Sequence, residues 1–177
     1  MKILGVDPGI GRVGWGIIEE EKGILKAIKF DCFETKVGEK TELRLQQINQ
    51  FLVNIIDTEK PDCASVEKLF FAANSKTAIV VGEARGAILL SISQAGLPVF
   101  SYTPLQVKQA LTGYGRADKK QIQYMVMTLL NLKEIPKQDD AADALAIAIT
   151  HAFSYKINSV QSSKCKVQNY SSKLKSY

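Results

Sequence analysis

Long apolar runs are missing from this chain. No stretch approaches the roughly 18 uninterrupted apolar residues of a membrane span, and the opening residues do not build the apolar run and small-residue cleavage site of a secretory signal. The expected location is therefore the cytoplasm, with no membrane partner. Cysteine is scarce: Cys32, Cys63 and Cys165 are odd in number and far apart, so they read as reduced thiols without the close pairs of a zinc site. Histidine occurs once, at position 151, where it reads as a surface or packed residue outside the catalytic set. Acids are missing from the C-terminus, since Ser154 to Tyr177 holds five lysines and no Asp or Glu. The net charge of +5 is thus the tail's, and the body balances 18 basic against 18 acidic residues. Overall basicity therefore says nothing about a site, and a nucleic-acid reading must rest on where cations cluster in the body.

What is present is enough for one core. At 177 residues and 46% hydrophobic, the chain suits a single domain over 1–153, followed by a tail over 154–177. The tail's Ser, Lys, Asn and Gln content predicts disorder. The domain is organised around its first residues. Lys2 to Val6 is an apolar, β-branched run that ends on Asp7 and breaks at Pro8-Gly9; Val13 to Ile18 then returns with Gly14 and Gly16 at alternate positions. This is a strand, a tight turn and an antiparallel strand, with an acid at the first strand's carboxyl end.

A third strand follows over 23–35, making a meander. Leu45, Ile48, Leu52, Ile55 and Ile56 recur at helical spacing after Thr41, which reads as the cap of a helix lying on the sheet. Cys63 to Glu67 is a short buried strand, parallel to its neighbour because a helix leads into it, and it too ends on an acid. A long helix over 75–95, a strand over 97–102, a short helix over 104–111, a helix over 118–132 opened by Asp118 and Gln121 in capping-box spacing, and an alanine-rich helix over 139–153 complete the order. The fold class is α/β, a five-stranded mixed sheet with helices on both faces.

Carboxylates then mark a site. Asp7 and Glu67 end strands that the topology allows to be neighbours, at the sheet edge where open α/β folds bind ligands. Asp140 and Asp143 share a face of the last helix, although Asp139, four residues from Asp143, satisfies the spacing equally. Convergent carboxylates in a partly dry cleft need compensating charge, which one or two hard divalent cations supply. Oxygen-only donors select Mg²⁺ or Mn²⁺, and two such ions can hydrolyse a phosphodiester.

Asp-Pro-Gly after the first strand, Glu67 before Lys-Leu-Phe-Phe, Gln106-Val107-Lys108-Gln109, Ala117-Asp118-Lys119-Lys120 and the run from Asp140 to His151, in this order and spacing, resemble the RuvC family of Holliday-junction resolvases. The resemblance spans residues 1 to 153. It implies a ribonuclease-H-like fold and a homodimer that nicks two strands of a four-way DNA junction with Mg²⁺ (Mn²⁺ as an alternative), two ions per site. It also implies the RuvA–RuvB branch-migration complex as a partner. It carries the family's acidic quartet onto Asp7, Glu67, Asp140 and Asp143, choosing Asp140 over Asp139. Lys108, Arg116, Lys119 and Lys120 form a basic cluster suited to backbone phosphates, with Lys108 and Lys119 marked by the resemblance as active-site partners. The resemblance also marks Phe70 as a residue that stacks on opened base pairs. Two further readings remain at this point, a ribonuclease on the same fold and a non-catalytic junction-binding protein.

Overall fold

The computed structural model describes residues 1–69 and 75–155. Phe70, Phe71 and nearly all of the lysine-rich tail lie outside the described residues. Five strands form one sheet in the order β3-β2-β1-β4-β5. β1 (Lys2–Asp7), β2 (Arg12–Glu21) and β3 (Ile24–Glu34) are the antiparallel meander. β4 (Cys63–Glu67) runs parallel to β1, and β5 (Val99–Tyr102) parallel to β4. The expected mixed five-stranded sheet is thus observed, reached through α1 (Thr41–Glu59) and α2 (Ser75–Gln94), and followed by α3 (Pro104–Thr112), α4 (Lys119–Leu129) and α5 (residues 139–155). Among the described residues, no helix is long and apolar enough to cross a membrane.

Local chemistry explains most boundaries. Asp118 accepts from Gln121 N at 2.8 Å while the Gln121 side chain accepts from Asp118 N, the reciprocal cap expected for α4. That helix stops at Leu129, short of the predicted 132, because Asn131 turns the chain with a φ of 51°. The cap predicted at Thr41 is not formed. Lys40 holds the extended N-cap backbone, with no side-chain bond, and Thr41 is already helical.

Side-chain alternation along the strands decides which helices meet which residues. Leu4, Val6, Val13, Trp15, Ile17, Ala64 and Val66 point to one face and pack with Ile48, Leu52, Ala84 and Ile88 of α1 and α2. Ile3, Ile18 and Cys63 point to the other, against Val107, Val126, Leu145 and Ile149 of α3, α4 and α5. By the same period of two, Gly5 and Asp7 share the face of Ile3, and Ser65 and Glu67 share that of Cys63. Both strand-end acids therefore project toward α5.

Glycine on that face lets α5 lie directly on the sheet. A Cβ at Gly5 would stand 2.1 Å from the Ala144 carbonyl oxygen, and one at Gly14 would stand 2.0 Å from that of Asp140. Gly5 pairs with Gly16 across the strands and Asp7 with Gly14, so the seam runs to the end of the sheet that carries Asp7. Ala141, Ala142, Ala144 and Ala148 are almost fully buried in it. Gly5→Ala should cost about 1–3 kcal/mol or more, since backbone cannot yield as a side chain would. Gly86→Ala on α2, whose added methyl meets nothing of its own chain within 4 Å, should stabilise the monomeric chain by about 0.5–1 kcal/mol. Urea denaturation of both variants checks the pair; a Gly5→Ala midpoint equal to wild type would refute the seam as a constraint.

Candidate active site

The Val6–Val66 pairing in parallel β1 and β4 sets Asp7 and Glu67 side by side at the strands' carboxyl ends. The two acids are close enough to act on each other: the charge of Glu67 raises Asp7, and the Asp7 side chain opposes the rise of Glu67. The first turn of α5, carried by the Gly14 contact, brings Asp140 and Asp143 over this pair. Asp7 is raised from 3.8 to about 8, first by burial and then by the charges of Glu67, Asp143 and Asp140, with Lys119 pulling the other way. Burial likewise raises Glu67, helped by Asp143, and burial raises Asp143 against the opposing pull of Lys119. Asp139 is not among the residues raising Asp7. It faces outward, is 60% exposed, and is held below the usual range chiefly by its hydrogen bond from Lys119. Of the two candidates that spacing left open, Asp140 is the one in the cluster.

Cations bracket the acids. Lys119 Nζ lies 3.1 Å from Asp139 Oδ2 and 3.3 Å from Asp143 Oδ2. Burial works against its ammonium, but the two aspartates outweigh this and hold its pKa above the ordinary value. Lys108 and Lys119 join Glu67 and Asp143 around a cavity of about 200 Å³, walled on its apolar side by Pro104, Val107, Ile122 and Ile147. Lys120 instead lines a separate groove of about 510 Å³ with Tyr114 and Tyr124, and Arg116 is exposed on the α3–α4 loop. Arg85 donates through Nε to the Glu67 backbone carbonyl at 2.9 Å and through an η nitrogen to Ser101 Oγ at 3.0 Å. The Glu67 carboxylate is thereby left to the cluster. His151 is packed, at 2% exposure, with Nδ1 2.8 Å from the Tyr102 hydroxyl and its ring stacked on Phe100.

Arg12, which sequence reasoning missed, completes the bracket: it reaches Asp140 Oδ2 through an η nitrogen at 3.1 Å and Glu34 Oε1 through Nε at 3.1 Å. Its position as first residue of the return strand, beside the turn after Asp7, was the available signal. With Asp140 held by Arg12 and Asp143 by Lys119, no three acidic, histidine or cysteine side chains among the described residues form a ready-made cation cage. The donor chemistry fits a hard cation all the same, because an acid driven to about 8 by burial and by neighbouring carboxylates is relieved by positive charge.

A ribonuclease-H-like sheet with acids on adjacent strand ends beneath an acidic helix start defines a nuclease class. Within it, the family model for crossover junction endodeoxyribonuclease RuvC matches residues 3–151. The chain is 54% identical over 152 residues to the RuvC of Brevibacillus brevis, an alignment covering 86% of this chain and 92% of that one. It is 54% identical over 158 residues to that of Halothermothrix orenii, covering 89% and 96%. A Thermus thermophilus RuvC structure superposes with a TM-score of 0.82 at 36% identity, covering 89% of this chain and 97% of that one. The same organism's RuvC in complex with Holliday junction substrate superposes at 0.85, covering 89% and 96%. The chain belongs to the RuvC family.

The raised acids give a pH test with a defined sign. Asp7, with an ordinary value of 3.8 and a folded value of about 8, keeps its proton in the native protein over a range where the unfolded chain has lost it. The native state binds more protons in that window, so stability without metal should fall as pH rises from about 4 to about 8, by at most about 1.4 kcal/mol per pH unit from this group. Denaturation in chelator at pH 5 and pH 8 checks this. Asp7→Asn should flatten the slope, and a slope unaffected by that substitution would contradict the assignment.

Proposed function

We propose that this chain resolves four-way DNA junctions by hydrolysing one phosphodiester in each of two strands, with Asp7, Glu67, Asp140 and Asp143 as its divalent-cation site. The observation carrying the proposal is the adjacency of Asp7 and Glu67 beneath Asp140 and Asp143, where burial first and then the neighbouring carboxylates raise Asp7 to about 8. RuvC-family cleavage is metal-dependent, and oxygen-only donors favour Mg²⁺, with Mn²⁺ as the alternative. Four carboxylates have capacity for two ions, which when bound activate a water and stabilise the leaving oxygen. The substrate class follows from the relative known with Holliday junction substrate.

The chain's own residues do the rest. Lys108 and Lys119, on the wall of the acidic cavity, neutralise and position the scissile phosphate. Pro104, Val107, Ile122 and Ile147 limit water there. Arg116 and Lys120 would follow the backbone farther out, and Phe70 would stack on an opened base. By family resemblance, the RuvA–RuvB complex is the partner that presents the junction. Asp7→Asn removes a ligand and a charge near phosphate without changing shape, so nicking should be abolished while junction binding is retained or strengthened. A labelled junction with Mg²⁺, followed by denaturing and native gels, tests both. Near-normal cutting by the variant would refute the site.

Clean resolution needs two such sites, and a two-fold dimer presents the same patch twice. On α2, Ala84, Ile88, Ser91 and Ile92 are buried within the chain, whereas Ile79 and Leu90 are 69% and 56% exposed on a strip with Glu83 and Gly86. That strip is the proposed dimer surface; half-buried Val81 lies on the opposite side of the helix, with Ile88 and Ile92. Leu90→Asp should give a folded monomer that nicks one strand only. Sedimentation showing an intact, fully resolving dimer would exclude this helix from the interface.

A further inference from the structure

We infer that Arg12 is a positioning residue for divalent-cation binding, orienting the Asp140 carboxylate through one of its oxygens. The inference rests on Asp140 being a cation ligand, as proposed above. Asp140 has one side-chain hydrogen-bond partner among the described residues, and that bond engages Oδ2 alone. A carboxylate has a second oxygen, so an arginine on one and a cation on the other are compatible. Partners that orient a metal ligand in this way are part of a metal site's design.

The placement of Arg12 is itself over-determined. The preceding turn is pinned by Thr35, 4% exposed, whose hydroxyl donates to the Ile10 carbonyl at 2.6 Å and whose backbone N–H donates to Gly11 O at 3.1 Å. Arg44 Nε donates in turn to the Thr35 hydroxyl at 2.7 Å. Arg12 and Glu34 are register partners in β2 and β3, so Glu34 fixes one end of the guanidinium while the other end reaches Asp140. Only a planar fork spans both acids, a geometry lysine lacks. Arg12 and Glu34 are 50% and 63% exposed, and ion pairs that exposed add little to stability. What the bridge supplies is direction.

The sign of one measurement separates this from simple repulsion. By Coulomb's law alone, deleting a positive charge 3.1 Å from a cation ligand should tighten cation binding. Loss of positioning should weaken it. Mn²⁺ binding to the DNA-free protein, read from the electron paramagnetic resonance of free Mn²⁺, is compared for wild type, Arg12→Ala, Arg12→Lys, Glu34→Gln and Asp140→Asn. Arg12→Ala is expected to weaken binding about tenfold, the lower end for such partners, at an unchanged denaturation midpoint. Arg12→Lys should fall between it and wild type, and Glu34→Gln should weaken binding less. Unchanged or tighter binding in Arg12→Ala, with Asp140→Asn weakened, overturns the positioning role and leaves the cation site standing. Wild-type binding in Asp140→Asn removes Asp140 from the site and the inference with it.

Discussion

The contact of α5 on the bare backbone of β1 and β2 is the constraint on which the rest of the molecule depends. A helix normally stands off a sheet by the length of the side chains between them. Here Gly5, Gly14 and Gly16 present almost nothing, and the Ala144 and Asp140 carbonyls occupy the space that a methyl would need. The approach buries Ala144, Leu145 and Ala148 completely. It also brings the first turn of the helix within electrostatic range of two strand ends. With side chains at Gly5 and Gly14, Asp140 and Asp143 would be lifted away and Asp7 would lose the neighbours that perturb it. Packing and chemistry are thus set by the same few residues.

That arrangement is unfavourable for the protein alone. Buried carboxylates that raise one another's pKa oppose folding as they ionise, and the alanine–glycine seam and the two cores must supply the surplus that holds them together. The conflict is partly relieved by Lys119, whose charge opposes the rise of both Asp7 and Asp143. A strained cluster on a well-packed scaffold is where functional sites are expected.

Much of this was legible in the sequence because period-two and helical spacing are local. A strand ending in an acid before Pro8-Gly9, a second ending at Glu67, and the Asp140/Asp143 spacing each read without the fold, as did the alternate glycines. What could not be read required register or orientation. Arg12 meets Asp140 only because β2 and β3 pair it with Glu34 and α5 arrives above it, a separation of 128 residues in sequence. Lys119 and Lys120 look equivalent as neighbours in a basic run, yet a rotation of about 100° per helical residue sends one to the acids and the other to the Tyr114 groove. Thr41 looked like a cap by residue type, but the turn is made by the backbone of Lys40. His151 is packed because β5 places Phe100 and Tyr102 under it, a contact that pattern alone does not reveal.

The near-neutral body raises a question of order in how a polyanion is received. Long-range attraction from net charge is absent once the tail's five lysines are set aside, and the cavity's floor is acidic. A phosphate approaching the uncompensated cluster would meet Glu67 and Asp143 as well as Lys108 and Lys119, with like charges opposing unlike ones within a few ångströms. On the proposed function, divalent cations reverse the sign of that floor, so cation binding and phosphate binding reinforce each other and each should tighten the other by the same factor. Lys108 and Lys119 draw the phosphate toward the cavity, and the acids oppose its last approach. On the proposed function, cations remove that opposition at the scissile phosphodiester, which ties its close placement, though not binding of the junction as a whole, to the state competent for cutting.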